Sequence, residues 1–370
     1  MRIYTFKSRF VLAVTLTMFF TINGSAQDKN ENLNSTLQEL SADVAKKYVA
    51  PISSAFGSDL NAGWFHTAPA PVKFSFNLEF GLVAMGSFFP NDAKHFETSG
   101  RVRLEAAEAG QLADVALEDY SGAVPKPIIK SQLVSQITSQ YTEVNVSGAT
   151  IIGSQFDSLT INYPGGTYIL GVESYNLPAR QFKLGVVGMG ELADATVLPL
   201  FSPQLNIGTI FGTSITFRYL PEIKLDDELG SFKYYGFGIQ HNPGFWLKNR
   251  LPFNFAASFY TQKLEFGSLL NTTTWAFGVN ASKRLGLEAL NVTPYVGFMV
   301  ESATMQVTYD YIVELDQSPP EVEKIRFDIE GENKTRLTLG LSIRLLLLNL
   351  NADYNIGQYN SFSVGLNFKI

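Results

Sequence analysis

The C-terminal part of the chain alternates strictly between apolar and polar side chains. Apolar or aromatic residues occupy every second position of 337–345, 348–356 and 362–370, and mostly polar residues or glycine lie between them. Successive side chains of a strand point to opposite faces of a sheet, so this period of two predicts three strands. Similar patterns predict earlier strands at 72–84, 182–186, 204–210, 214–220, 232–240, 251–259, 275–281 and 292–300.

The length and composition of these strands favour a membrane barrel. Many run for about nine to eleven residues, which is the length of a tilted membrane span. One face carries small polar side chains and suits a water-filled lumen, whereas the other is apolar and suits lipid. We therefore predict an all-β protein, a transmembrane antiparallel β-barrel of about 12–14 strands, at roughly 20–25 residues per strand. A soluble two-sheet sandwich would alternate in the same way and is the alternative.

The N-terminus has the pattern of a secretory signal peptide. Arg2, Lys7 and Arg9 precede the short apolar run 11–22, and the small residues 24–26 follow it. The run is shorter than the about 20 apolar residues that a membrane helix needs. We expect cleavage after Ala26, which defines 1–26 as the signal peptide of an exported protein.

A helical leader is predicted between the signal peptide and the first strand, over 27–71. Its apolar positions recur at helical spacing, and Pro51 is expected to end the helix. The leader could pack on the main domain or plug the barrel. The barrel itself is predicted over 72–370, with a large irregular insertion around 90–143. The apolar helix positions are Leu33, Leu37, Leu40, Val44 and Tyr48.

Composition excludes several classes of protein. The 370 residues carry 28 Lys and Arg against 34 Asp and Glu, a formal charge of -6, and contain no cysteine. Disulfide scaffolds, thiolate metal sites and cysteine nucleophiles are therefore excluded. The acidic balance without a basic stripe argues against nucleic acid as a partner. The acidic loop clusters lack the spacing of calcium ligands, so we expect no metal and no cofactor.

Several charged residues fall on or near the polar faces of predicted strands and are candidates to face the lumen. They could form salt bridges that support a plug, or they could line a polar conduit of mixed charge. Arg344 and Asp353 lie on adjacent strands and could pair if the register allows. The candidates are Lys73, Glu79, Lys183, Arg218, Lys233, Arg344 and Asp353.

Some outer-membrane barrels are enzymes that use Ser and His near the lipid interface. The histidines of this chain are His66, His95 and His241. No spacing marks a catalytic triad, and no Gly-x-Ser-x-Gly elbow is present. We therefore expect no catalytic residues and no enzymatic activity.

Two stretches, 48–66 and 203–241, resemble an uncharacterised family of exported proteins from Bacteroidota. They include Tyr-Val-Ala-Pro-Ile at 48–52 and Arg-Tyr-Leu-Pro at 218–221. The resemblance implies location in the outer membrane, with its lipid as a partner. The final strand, which ends at Ile370, resembles the signal that the barrel-assembly machinery reads.

The layout of a helical leader followed by a long-stranded barrel resembles the FadL-type transporters of hydrophobic compounds. This resemblance implies a passive channel or transporter for small hydrophobic or amphipathic compounds, with such a compound as its ligand. The alternative is a structural or surface-interaction barrel without a transport role, in which 90–143 and 310–335 present a binding surface.

Overall fold

The computed structural model describes residues 42–102, 104, 106–188, 197–226, 230–246, 251–313 and 321–370. The predicted signal peptide 1–26 and the first part of the leader lie outside these residues. The helices are α1 (Ala42–Asn61), α2 (Ala106–Ala116) and α3 (Lys126–Ser139). The strands are β1 (Phe74–Phe88), β2 (His95–Val102), β3 (Thr142–Ala149), β4 (Ser158–Tyr163), β5 (Gly166–Leu170), β6 (Glu173–Leu177), β7 (Arg180–Val187), β8 (Val197–Ile210), β9 (Thr213–Asp226), β10 (Gly230–His241), β11 (Asn254–Phe266), β12 (Leu270–Ser282), β13 (Leu285–Gly286), β14 (Leu290–Val313), β15 (Glu321–Glu330), β16 (Thr335–Leu345), β17 (Leu348–Ile356) and β18 (Ser361–Lys369).

Ten antiparallel strands close into a ring. The order is β12, β11, β10, β9, β8, β1, β18, β17, β16 and β14, and β14 pairs with β12 to complete the circle. The predicted all-β barrel is confirmed. With β13 and β15 the sheet has twelve strands, but the closed ring has fewer strands than the predicted 12–14. The estimate was too high because it assigned residues to the barrel that form a separate sheet.

The ring has its apolar side chains outside and its polar side chains inside. Leu339, Val364 and Phe298 are about half exposed, whereas Asn351 and Asn367, on the opposite faces of their strands, are buried. Water would penalise such an apolar outer surface, and lipid would accept it. The ring is therefore a transmembrane barrel. Buried polar residues of this kind include Asn280, Asn291, Thr293, Thr338, Ser342, Asn349, Asn355, Ser361 and Ser363.

The two ends of the barrel differ. At the C-terminal mouth, where β1 begins and β18 ends, two-residue turns at 211–212 and 346–347 join adjacent strands. Phe211 and Leu346 adopt positive φ angles of 49° and 58° in these turns. Such angles match the twist of paired strands in a tight hairpin. At the subdomain mouth, where β1 ends and β8 begins, the chain leaves the ring and forms the subdomain.

The subdomain, residues 91–187, is a small α/β layer. Strands β2, β3, β4 and β7 form its main sheet in that order, and β5 pairs with β6. Leu112, Leu133 and Val146 are buried in a shared apolar cluster that also includes residues of α1. The strand predicted at 182–186 exists, but it pairs with β4 in this sheet and not with the barrel.

The predicted N-terminal helix is confirmed, although its predicted end is wrong. Helix α1 continues through Pro51 to Asn61. Burial of both its halves outweighs the missing hydrogen bond of one proline, because tertiary packing supplies most of the stability of a helix in a protein. No helix among the described residues is both long and apolar enough to cross a membrane.

Candidate functional site in the barrel lumen

The N-terminal segment passes through the barrel from one mouth to the other. We call residues 42–72 the lumen segment. At the subdomain mouth, Ser53 Oγ donates to the Ile329 carbonyl of β15. At the C-terminal mouth, Asn242 Nδ2 donates to the Pro69 carbonyl over 2.7 Å. The chain between these points lies inside the ring, so residues 53–69 of the leader occupy the lumen.

Small residues allow α1 to approach the barrel wall closely. The stretch 53–58 reads Ser-Ser-Ala-Phe-Gly-Ser, and most of it is buried. A Cβ atom added to Gly57 would collide with Ala303 of β14. Ser58 Oγ donates to the Tyr359 carbonyl over 3.2 Å, and Ser87 Oγ donates to Asp59 Oδ1 over 2.7 Å. The helix is therefore fitted to this wall by both shape and hydrogen bonds.

Arg218 of β9 holds the end of the helix. Its guanidinium group donates to the carbonyls of Ala62 and Leu60 over 2.8 Å and 3.3 Å, and to Gln204 Oε1 over 2.9 Å. The same group lies 4.0 Å from the centroid of the Trp64 ring. Arg218 is 1% exposed. Because several acceptors and the Trp64 ring fix the buried guanidinium group, Arg218 holds the end of the helix in one position.

Aromatic rings fill the lumen below this contact. Trp64 stacks on Tyr260 with ring centroids 5.1 Å apart, and Phe65 packs edge-on against Tyr295 at 5.9 Å. Gly297 of β14 leaves the space that the Phe65 ring occupies, because a Cβ there would collide with it. These rings close the cross-section of the barrel at this level.

A polar contact lies next to the rings on the side of the C-terminal mouth. His66 Nε2 lies 3.0 Å from Glu79 Oε1, and both side chains are almost fully buried. Asn349 Nδ2 donates to the same oxygen over 3.1 Å. Lys369 of β18 is the register partner of Glu79 on the neighbouring strand.

Three further charged residues lie in the lumen wall. Asp353 Oδ2 accepts hydrogen bonds from Tyr295 and Ser363 over 2.9 Å and 2.7 Å. Arg336 Nη1 lies 3.3 Å from Glu301 Oε2, and both side chains are at most 1% exposed. Arg336 and Glu301 therefore compensate each other inside the protein, the Asp353 carboxylate is held by hydrogen bonds, and none of the three lines an open aqueous path.

Four of the seven predicted lumen residues lie in or beside the lumen. Glu79, Arg218 and Asp353 are buried there. Arg344 lines a cavity at the C-terminal mouth. It does not pair with Asp353, because its register partner on β17 is Asn349.

The other three residues lie elsewhere. Lys73 is exposed just ahead of β1. The lumen prediction is wrong for Lys183, because β7 belongs to the subdomain. Apolar and polar side chains alternate in a soluble sheet as they do in a barrel strand, so the sequence pattern does not distinguish the two. It is also wrong for Lys233. This residue precedes the buried Tyr234 on β10, so its side chain points to the opposite, outer face of the barrel. Near the subdomain mouth, Lys233 Nζ lies 2.9 Å from Glu265 Oε2.

Sequence reasoning missed the aromatic rings of the lumen and one buried ion pair. Arg336 comes directly before the alternating run 337–345, two positions ahead of its first polar residue. Extending the period of two by one residue would therefore have placed Arg336 on the lumen face. Trp64 and Phe65 follow the helix without any periodic signal, and only the fold shows that they lie in the lumen.

A cavity of about 410 Å³ opens at the C-terminal mouth, between the wall and the lumen segment. It extends inward to Trp64 and His66. Its charged lining residues are Glu79, Arg284, Glu288, Arg344 and Lys369.

The histidines are distributed over three separate places. His95 Nδ1 lies 3.2 Å from Asp157 Oδ2 on the exposed surface of the subdomain. His241 Nδ1 lies 2.9 Å from Thr213 Oγ1, and its Nε2 accepts a hydrogen bond from Trp246. No group of three His, Asp or Glu side chains in the described part of the chain could hold a metal ion.

The fold and its lumen define a transmembrane β-barrel that is occupied by its own N-terminal segment. The chain belongs to a family of unknown function, DUF6588, whose model matches residues 5–370. No curated protein matches the sequence.

Several solved outer-membrane proteins show weak structural similarity. OmpT of Vibrio cholerae, as a loop L8 deletion mutant, has 11% identity and a TM-score of 0.23, covering 80% of this chain and 98% of that chain. The N-terminal β-barrel domain of Pseudomonas aeruginosa OprF has 13% identity and a TM-score of 0.19, covering 43% and 94%. The outer membrane channel DcaP of Acinetobacter baumannii has 9% identity and a TM-score of 0.19, covering 82% and 100%. The barrel assignment rests on the closed ring and its apolar outer face.

Proposed function

We propose that this protein is an outer-membrane barrel that is closed by its own N-terminal segment and holds the subdomain at the cell surface. The observation that carries the proposal is the passage of the lumen segment through the whole ring. Barrels of about eight strands are just filled by side chains, and an aqueous channel needs about 16–18 strands. A ring of ten strands that also contains a helix and the packed rings of Trp64, Phe65, Tyr260 and Tyr295 leaves no room for a pore.

The internal charges support a structural role for the lumen. Arg218 binds carbonyl groups of the lumen segment, and Glu301 is paired with Arg336 in the wall. Buried charges that are paired hold one arrangement in place, because the loss of either partner leaves the other uncompensated. The barrel then serves as a membrane anchor, and the subdomain offers the surface for interaction.

The proposed orientation follows from the two mouths. Outer-membrane barrels have short turns on the periplasmic side and longer loops outside. Two of the four connections at the C-terminal mouth have only two residues, which supports an orientation with this mouth in the periplasm and the subdomain outside. In this orientation β18 pairs with β1 to close the barrel, and it is the strand that the assembly machinery would recognise. The apolar outer face contacts the lipid of the outer membrane.

Thiol labelling of intact cells tests this orientation. The chain has no cysteine, so each introduced thiol is unique. We expect Val172→Cys, at the fully exposed tip between β5 and β6, to react with a membrane-impermeant maleimide. Leu347→Cys, in a turn of the C-terminal mouth, is the matched control and should react only after the outer membrane is opened. Labelling of Leu347→Cys but not Val172→Cys in intact cells would reverse the orientation.

A second candidate is a passive transporter for small hydrophobic or amphipathic compounds that opens when the lumen segment moves. The cavity at the C-terminal mouth favours it, because this cavity ends at the lumen segment. Removal of residues 27–71 should then produce conductance in planar bilayers, with heat-modifiable gel mobility showing that the variant is folded. A folded deletion variant without conductance would argue against transport.

A further inference from the structure

Three cationic side chains share the cavity at the C-terminal mouth without a close partner. Arg284, Arg344 and Lys369 all line it. None of them forms an ion pair with another described residue. Elsewhere in the lumen Arg218 is held by several acceptors and Arg336 is paired with Glu301, so this cluster is a different kind of environment.

The carboxylates of the cavity are fewer than these cations. Glu79 and Glu288 are the two acidic lining residues, against three basic ones. Glu79 is already engaged by His66 at 3.0 Å and by the amide of Asn349 at 3.1 Å. Glu288 is exposed at the rim. The cavity therefore keeps an excess of positive charge, and low-dielectric walls focus the resulting field.

The terminal guanidinium nitrogens of Arg344 are available to a ligand. Its Nε donates to the Leu346 carbonyl over 3.0 Å, which fixes the side chain at the rim. Neither terminal guanidinium nitrogen donates to another described residue. A guanidinium fork presents parallel donors that match the two oxygens of a carboxylate or phosphate. Lys369, which lies two strands away across the sheet, adds a charge on the same side of the lumen.

Uncharged donors complete the lining. The side-chain amides of Asn77, Asn206 and Asn254 face the same cavity. Asn254 makes no side-chain hydrogen bond within the part of the chain that the structure describes. A ligand with several acceptor oxygens would find both charged and neutral donors here.

We propose that this cavity is a binding site for a small oxyanion, a carboxylate or a phosphate, that enters from the C-terminal mouth. The inference goes beyond the proposed anchoring function. It holds for either orientation of the barrel and for a closed or an opening lumen, so its failure would leave the proposed function untouched. The oxyanion could be a soluble solute or the headgroup of an anionic phospholipid.

Isothermal titration of the purified, folded full-length protein tests the site. Inorganic phosphate and succinate are the probes, in phosphatidylcholine nanodiscs at constant ionic strength set with sodium chloride. We expect saturable binding at one site, weakened about tenfold or more by Arg344→Gln and by Lys369→Gln, because each removes a charge-assisted hydrogen bond. Lys324→Gln, on the exposed face of β15, is the matched control and should leave binding unchanged.

A second arm identifies the source of the oxyanion. Nanodiscs that contain phosphatidylglycerol should bind phosphate as before if the natural ligand is soluble. They should lose the phosphate signal if the lipid headgroup occupies the cavity. The proposal is overturned if neither probe binds saturably, or if the Arg344 and Lys369 variants, folded by their gel mobility, bind as the wild type does.

Discussion

Replacement of Arg218 by alanine should destabilise the folded barrel by about 3–5 kcal/mol, since it leaves several buried acceptors without their donor and a cavity in place of a large side chain. The variant leaves the carbonyls of Leu60 and Ala62 without their donor and removes the cation that covers the Trp64 ring. It also creates a cavity where the side chain was 1% exposed. Urea titration of the protein in vesicles, followed by the fraction with folded gel mobility, measures the change.

Two further substitutions make the result specific to the guanidinium group. Arg218→Lys keeps the charge but loses the fork, so its stability should lie between that of the wild type and that of Arg218→Ala. Arg101→Ala, on the exposed face of the subdomain strand β2, should change stability little. If Arg218→Ala were as stable as Arg101→Ala, Arg218 would not hold the lumen segment.

The second large effect concerns the ion pair between Glu301 and Arg336. Both side chains are at most 1% exposed, and their charged atoms are 3.3 Å apart. Glu301→Gln alone or Arg336→Gln alone leaves one uncompensated charge inside the barrel, and each should cost about 3–5 kcal/mol. The double variant should recover much of this lost stability, because it leaves no unpaired charge inside the barrel.

A double-mutant cycle isolates the coupling between the two residues. The exposed pair of Glu330 and Lys334, with charged atoms 3.0 Å apart, provides the control cycle in the same hairpin region. Its coupling should be close to zero, because solvent screens exposed pairs. Additive effects of Glu301→Gln and Arg336→Gln would show that the buried pair does not act as a unit.

The period of two explains why the last strands could be predicted from sequence. In 337–345, 348–356 and 362–370 every outward position is apolar, and the register of β16, β17 and β18 keeps these positions on one face. Alternation alone does not say which sheet a strand joins. For this reason the prediction failed for Lys183, whose strand alternates equally well in the soluble subdomain.

The lumen segment could not be predicted because its contacts are remote in sequence. Arg218 binds the carbonyl of Leu60, 158 residues away, and Ser58 binds that of Tyr359, 301 residues away. No local pattern encodes such pairs. The helix itself was predictable from its spacing, but its continuation past Pro51 depends on packing against the wall and the subdomain.

A designed disulfide between the lumen segment and the barrel wall tests whether this segment passes through the barrel. Thr67 Oγ1 and Ser282 Oγ are 3.2 Å apart, which brings the two side chains within reach of a disulfide, and the native chain has no competing thiol. We expect Thr67→Cys/Ser282→Cys to crosslink nearly completely under mild oxidation of the folded protein. Thr67→Cys/Ser99→Cys, with its second thiol on the subdomain, should not crosslink. A folded Thr67→Cys/Ser282→Cys protein whose thiols stay reduced would show that the N-terminal segment does not pass through the barrel.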